Sequence, residues 1–277
     1  MNFQNILNII HSEDPEVYEK LSPRRHVLKS FGSKVAVAAL PFAIGSLFKK
    51  AYGKSTGIVL DTLSFALTLE YLEEAFYTKA LEKPYVFPTA TNIESFQKIA
   101  AHETAHVNFL KAAIEGIGSP VPAKPNIDLT GGGGTGNGPF KSFFDKYPNL
   151  LSMAQAFEDL GTRAYKGQVE NLMGYPDLMK AALGIHSVEA RHAAQIRSMR
   201  LELGGTDIKP WITGNKSEIQ DPYYQNVYAG EENTTHAGIN VINLNGNNIP
   251  PANASEAFDE PLNMAEVMKV AGTFIYE

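Results

Sequence analysis

The 277-residue chain contains no cysteine. That excludes disulfides, thiol nucleophiles, thiolate zinc sites and cysteine-held iron–sulfur clusters, so any bound metal must be held by oxygen and imidazole nitrogen. Long apolar runs are also missing. The run at residues 35–48 spans about 14 residues and is broken by Pro41 and Gly45, short of the roughly 20 needed to cross a bilayer. Positive charge is in deficit. The formal charge is −6, and without residues 1–53, which carry seven Lys+Arg and four Asp+Glu, 17 basic residues face 26 acidic ones, or −9. A surface of that sign repels nucleic acid and anionic lipid. What remains is ordinary for a globular protein: 44% hydrophobic and 19% charged residues, with ample length to bury a core.

The N-terminus has the pattern of an export signal, a basic stretch followed by a short apolar segment. Ser22-Pro23-Arg24-Arg25-His26-Val27-Leu28-Lys29 precedes the 35–48 run and resembles a twin-arginine signal, which exports folded proteins. Pro23 and Val27 depart from that pattern, and the alternative is an amphipathic helix beside a basic turn. Residues 1–53 are expected to be a leader, with cleavage near Ala51-Tyr52-Gly53, and the mature protein to be periplasmic. It would not be membrane-bound unless the N-terminal segment is retained.

Four helical segments follow. Apolar spacing of three and four over residues 60–81 predicts a first helix, with Asp61 as its cap, ending before Pro84. A second is predicted over 92–116 and stopped by Gly116, Gly118 and Pro120. Residues 118–147 hold four prolines and the run Gly131-Gly132-Gly133-Gly134. They read as a long crossover with a flexible glycine spacer, since the Lys-Ser/Thr of a phosphate-binding loop is lacking. A third helix is predicted over 149–173, then a turn at Gly174-Tyr175-Pro176, then a fourth helix capped by Asp177 and running to 203. Two helical hairpins joined by one long crossover is an all-α, ferritin-like four-helix-bundle connectivity, here over 54–205. Residues 206–277 are expected to form an irregular C-terminal extension packed along the bundle, with a short helix over 260–274.

Each helix carries an acid in an apolar setting. Glu70 lies among Leu67, Leu69, Leu72 and Phe76, and Glu158 beside Phe157 and Leu160. Each is followed seven residues later, on the same helix face, by a tyrosine, Tyr77 or Tyr165. The second and fourth helices each carry Glu-x-x-His: Glu103 with His106, and Glu189 with His192. A spacing of three places both side chains on one face, able to meet a common ion. Four carboxylates in a bundle core repel one another unless cations neutralise them. Two divalent ions balance four such charges, and oxygen with imidazole suits iron or manganese, with zinc also able to bind. Glu73 and Glu74 flank Glu70 and read as a solvated face, with an additional ligand as the alternative. His102 and His186 read as supporting or surface residues. Arg163 and Arg191 would either pair with ligand carboxylates or point outward.

In this pattern the chain resembles the ferritin-like superfamily of di-iron and di-manganese carboxylate proteins, at all six ligand positions and over about 145 residues. The resemblance implies that Glu70 and Glu158 are terminal ligands, that Glu103 and Glu189 bridge, and that His106 and His192 each bind one metal. It implies that Tyr77 and Tyr165 hydrogen-bond to ligand carboxylates. The segments EYLEEAFY, HETAH, EDLGTRAYKG and VEARHAA are similar to an exported branch described as desiccation-related. The expected function is an oxidoreductase acting on oxygen, peroxide or ferrous iron, possible as a homo-oligomer and serving stress protection. Alternatives are iron binding or storage without turnover, a metal-braced structural stress protein, or a zinc metalloprotease using His102-Glu103-x-x-His106.

Overall fold

The apolar spacing resolves into four long helices in a computed structural model that describes residues 57–205, 207–219 and 222–276. These are α1 (Gly57–Leu81), α2 (Ala90–Gly116), α3 (Tyr147–Gln168) and α4 (Pro176–Glu202). α1 packs along α2 and α3 along α4, and the crossover joins the two hairpins. The bundle is thus the all-α arrangement expected. The twin-arginine segment, the 35–48 run and the whole of the 1–53 leader lie outside the described residues. Among those described, no helix is long and apolar enough to cross a membrane.

Helix ends differ from expectation in instructive ways. Asp61 lies inside α1 rather than at its start. α2 begins two residues earlier than its apolar pattern does, because the Thr89 hydroxyl accepts a hydrogen bond from the Asn92 amide and caps it. α3 stops at Gln168, and its last turn tightens into a 3₁₀ turn, Val169–Leu172. α4 is entered through Tyr175 and Pro176 with no side-chain cap. Asp177 instead sits in the first turn, where its charge favours the helix N-terminus.

The crossover is more ordered than a spacer. Strand β1 (Asn126–Ile127) pairs antiparallel with the last strand of the chain, β4 (Ile275–Tyr276), in the register Asn126↔Tyr276 and Ile127↔Ile275. Directly after β1 the buried Asp128 carboxylate accepts hydrogen bonds from the amides of Thr130, Gly134 and Gly136 and from the Thr130 hydroxyl. The glycine run therefore wraps around a carboxylate. Burial alone would raise the Asp128 pKa, but these donors hold it below its usual range.

The C-terminal extension does pack on the bundle. It contributes the hairpin strands β2 (Thr235–His236) and β3 (Ile239–Asn240), and the helices α5 (Pro251–Ser255) and α6 (Met264–Ala271). α6 is shorter than the expected 260–274 because Asn263 and Glu266 form a reciprocal capping box at its start. The extension lies over α3, whose outer polar residues are consequently buried: Gln155, Asp159 and Arg163. Tyr228 donates to Asp159 at 2.8 Å, and Arg197 pairs with the same carboxylate at 2.5 Å. Contact is closest at Gly167. A Cβ there would stand 2.0 Å from the Leu262 carbonyl oxygen, so only glycine lets the extension lie this near.

Candidate metal centre

A polar layer divides the apolar interior in two. On α1, Leu72 and Phe76 belong to one cluster and Leu63 and Leu67 to the other. On α4, Ile196 belongs to the first and Ile185 to the second. Between them lie Glu70, Glu103, Glu158 and Glu189, all fully buried, with His106 and His192 nearly so. Every metal-ligating residue expected from the sequence is present in this one layer.

The six residues form two overlapping groups whose donor atoms lie within 4.8 Å of one another. Glu70, Glu103, His106 and Glu189 make one, and Glu103, Glu158, Glu189 and His192 the other. Glu103 and Glu189 belong to both. His106 Nδ1 lies 3.2 Å from Glu70, 3.1 Å from Glu103 and 3.0 Å from Glu189. His192 Nδ1 lies 3.0 Å from Glu103, 3.1 Å from Glu158 and 3.4 Å from Glu189.

A ring nitrogen carries at most one proton and cannot serve three oxygens with it. Metal bonds of about 2.1 Å meeting near right angles place neighbouring donor atoms about 3.0 Å apart. The observed separations fit that spacing. Three buried carboxylate oxygens, Glu103 Oε1 and both of Glu189, have no hydrogen-bond partner. Glu103 Oε1 is within ion-pair distance of His192 but is not aligned as a hydrogen bond. Leaving such atoms unsatisfied costs about 1–3 kcal/mol each, more when charged. A cation among them removes that cost, so the donor set suits a metal.

Protons compete with cations for these carboxylates. Burial raises the Glu158 carboxyl to about 8 and the Glu103 carboxyl to about 7, against the pull of the neighbouring imidazoles. Burial would lower the His192 imidazole, yet Glu158, Glu103 and Glu189 raise it to about 12. The tyrosines cross the bundle. Tyr77 on α1 donates to Glu158 on α3, and Tyr165 on α3 donates to Glu70 on α1. Burial, then the facing carboxylate, raises both phenols well above 10, which keeps them as donors.

The neighbouring residues divide. His102 belongs to neither metal-ligating group. Its Nδ1 lies 2.8 Å from Nε2 of His192, so it supports that ring instead of sharing a zinc with His106. Both rings line a cleft of about 500 Å³ between α2 and α4, together with Lys98 and Arg191. His186 Nδ1 bonds the Thr162 carbonyl at 2.9 Å. Arg163 turns away from the ligands to the extension, pairing with Glu231 at 2.7 Å. Glu74 is on the solvent side and pairs with Lys124 at 2.8 Å. Glu73 is not: it is 3% exposed, and the solvated-face expectation fails for it.

A four-helix bundle with a mid-core layer of four glutamates and two histidines defines the class of bundles built to hold metals between facing helices. The model of the ferritin-like domain family matches residues 59–202, just over half of the chain. The protein belongs to that family. No curated protein matches the sequence significantly.

Proposed function

We propose that the six residues hold two ions of iron or manganese, and that the protein is an oxidoreductase acting on oxygen, peroxide or ferrous iron. The observation that carries this reading is the sharing of Glu103 and Glu189 by both ligand groups. Two carboxylates common to two groups are what a bridged pair of ions needs. Each group then has its own carboxylate and imidazole, Glu70 with His106 and Glu158 with His192. A redox-active pair of ions, when bound, supplies two one-electron steps at adjacent sites. The chain's own part is to hold and orient. Tyr77 and Tyr165 fix the outer carboxylates, His102 fixes the His192 ring, and the apolar clusters on either side exclude water.

The similarity of residues 70–77, 102–106, 158–167 and 188–194 to the desiccation-related branch supports a role in stress protection. The basic and apolar pattern of residues 1–53 supports a leader, export by the twin-arginine route and a periplasmic location, where oxidants and ferrous iron are met outside the cytoplasm. In that reading the bundle of residues 54–205 and the extension of 206–277 are both exported.

Reconstitution of purified protein tests the reading. Two iron or manganese ions per chain are expected, with consumption of oxygen or peroxide faster than by the same metal free in solution. Fewer than one ion per chain would overturn it, and two tightly bound ions without turnover would favour iron binding or storage. Tyr165→Phe and Tyr77→Phe are each expected to weaken metal binding about 10–100-fold, because an outer carboxylate loses its buried donor. A competition titration with a chromophoric chelator measures it.

A further inference from the structure

We propose that the cleft between α2 and α4 binds a small organic anion, one carboxylate on an apolar body, and hydrogen-bonds it through His102 and His192 to the metal layer. The link to the metals rests on the two-ion reading above. The binding itself does not.

Of the six residues of the layer, only His192 lines this cleft. Its volume of about 500 Å³ suits a small molecule better than a single ion. The ring geometry decides what an occupant meets. Nδ1 of His192 faces the carboxylates, at 3.0 Å from Glu103, 3.1 Å from Glu158 and 3.4 Å from Glu189. A metal would take that nitrogen, which leaves the ring proton on Nε2. Nε2 lies 2.8 Å from Nδ1 of His102, with the ring planes within 15° of each other, and donates to it. The proton of the neutral His102 ring is then on its own Nε2. His102 is exposed and lines the cleft, so this N–H is offered to an acceptor there.

Two cations stand near that donor. Lys98 is one turn, about 6 Å of rise, from His102 on α2, and Arg191 is next to His192 on α4. Both line the cleft and are exposed, and neither makes a hydrogen bond or salt bridge among the described residues. Glu94 lines it a further turn away, about 12 Å from His102 along α2. The cleft thus carries a net charge of +1, two cations against one acid, with the cations at the metal-layer end. One carboxylate balances it, and the same cations oppose entry of ferrous iron. Ile99, 3% exposed, and the half-buried Val188 give the wall an apolar surface for the body of the ligand.

Calorimetric titration of the whole protein with straight-chain carboxylates, acetate to hexanoate, tests the site. Affinity should rise about two- to fourfold per added methylene. 1-Hexanol, which lacks the charge, should bind about tenfold more weakly than hexanoate or worse. Lys98→Ala and Arg191→Ala change exposed side chains outside the metal layer. Each should weaken hexanoate about tenfold or more, the scale of one charge-assisted hydrogen bond. In zinc-loaded protein, hexanoate should shift the ring proton–nitrogen NMR signals of His102 and His192 and leave those of His186 in place. Inorganic phosphate binding as tightly as hexanoate, or hexanoate affinity unchanged in both variants, would overturn the proposal. So would binding without the two ring shifts. Hexanoate binding retained by a protein that holds fewer than one metal ion per chain would support the anion site and overturn the two-ion reading alone.

Discussion

Chelator-stripped protein is expected to melt roughly 8–16 °C below the iron- or manganese-loaded form. Free metal at about a thousand times its dissociation constant stabilises a folded chain by about 4 kcal/mol, and each kcal/mol moves the midpoint of a protein this size by about 2–4 °C. Glu103→Gln should abolish that gain. Glu103 belongs to both ligand groups, so its loss affects both ions, whereas in the stripped protein the glutamine keeps an oxygen for the His106 contact and removes a buried charge whose Oε1 has no hydrogen-bond partner. The stripped variant is therefore expected to be no less stable than the stripped native protein, which separates loss of metal from loss of fold. Acidity adds a second handle. In the stripped protein, burial raises Glu103 from 4.5 to about 7 and Glu158 from 4.5 to about 8. The folded chain then keeps protons that the unfolded chain releases above 4.5, so its stability falls as pH rises between about 4.5 and 8. Metal ions displace those same protons and bind better as pH rises. The gap between loaded and stripped midpoints should widen from pH 5 to pH 8 in a thermal melt. A gap that narrows would mean that these carboxylates do not exchange protons for metal.

The helices and the six acid and histidine residues of the buried layer are legible in the sequence because both signals are local. Apolar residues at three- and four-residue spacing reveal a buried stripe, and an acid within that stripe, one turn from a histidine, stands out against it. The two tyrosines are legible for the same reason, but their crossing to the opposite helix is not, since no spacing within one helix encodes which neighbour it faces. Glu73 is hidden by Glu74. Two adjacent acids on a helix look like a solvated face, and only one of them is. The distinguishing signal is on another helix: Gly161 on α3, where a Cβ would stand 3.0 Å from Glu73 Oε1. Helix ends are misread where capping depends on backbone direction. Asp61 and Asp177 have the right chemistry for caps, but α1 already runs through the first, and Pro176 starts α4 before the second. The glycine run reads as flexible because its organiser, Asp128, lies outside the run. The extension is least legible, since outside α6 its apolar residues follow no period and several of its anchors are polar groups of α3.

Those anchors concentrate on one side chain, and Arg163→Ala is expected to destabilise the protein by about 3–5 kcal/mol, the range for breaking a buried ion pair by removing one partner. Arg163 is 2% exposed and joins two stretches of the extension, 227–231 and Glu260, to α3. Its Nε lies 2.7 Å from Glu231 and donates to the Glu260 carbonyl at 2.6 Å. Its Nη2 donates to the Ala229 carbonyl at 2.7 Å, and its Nη1 to that of Val227. The alanine leaves Glu231, itself buried, without its cation and three carbonyls without donors. At about 2–4 °C per kcal/mol the midpoint should fall by roughly 6–20 °C. The damage should be directed. The extension covers the outer face of α3, which carries Glu158 and Tyr165 on its inner face, so loosening the extension exposes Gln155 and Asp159 while the metal layer stays within the bundle. Limited proteolysis should cut first within residues 222–262, and metal stoichiometry should hold below the new midpoint. Arg163→Ala with Glu231→Gln should recover part of the loss, because no unpaired charge then remains buried. Should the single variant melt within 1–2 °C of the native protein, the extension is held by its apolar contacts alone. Among these are Val227, Leu262, Val267 and Phe274 in the core cluster, and the arginine would then serve only to satisfy the carbonyls it meets.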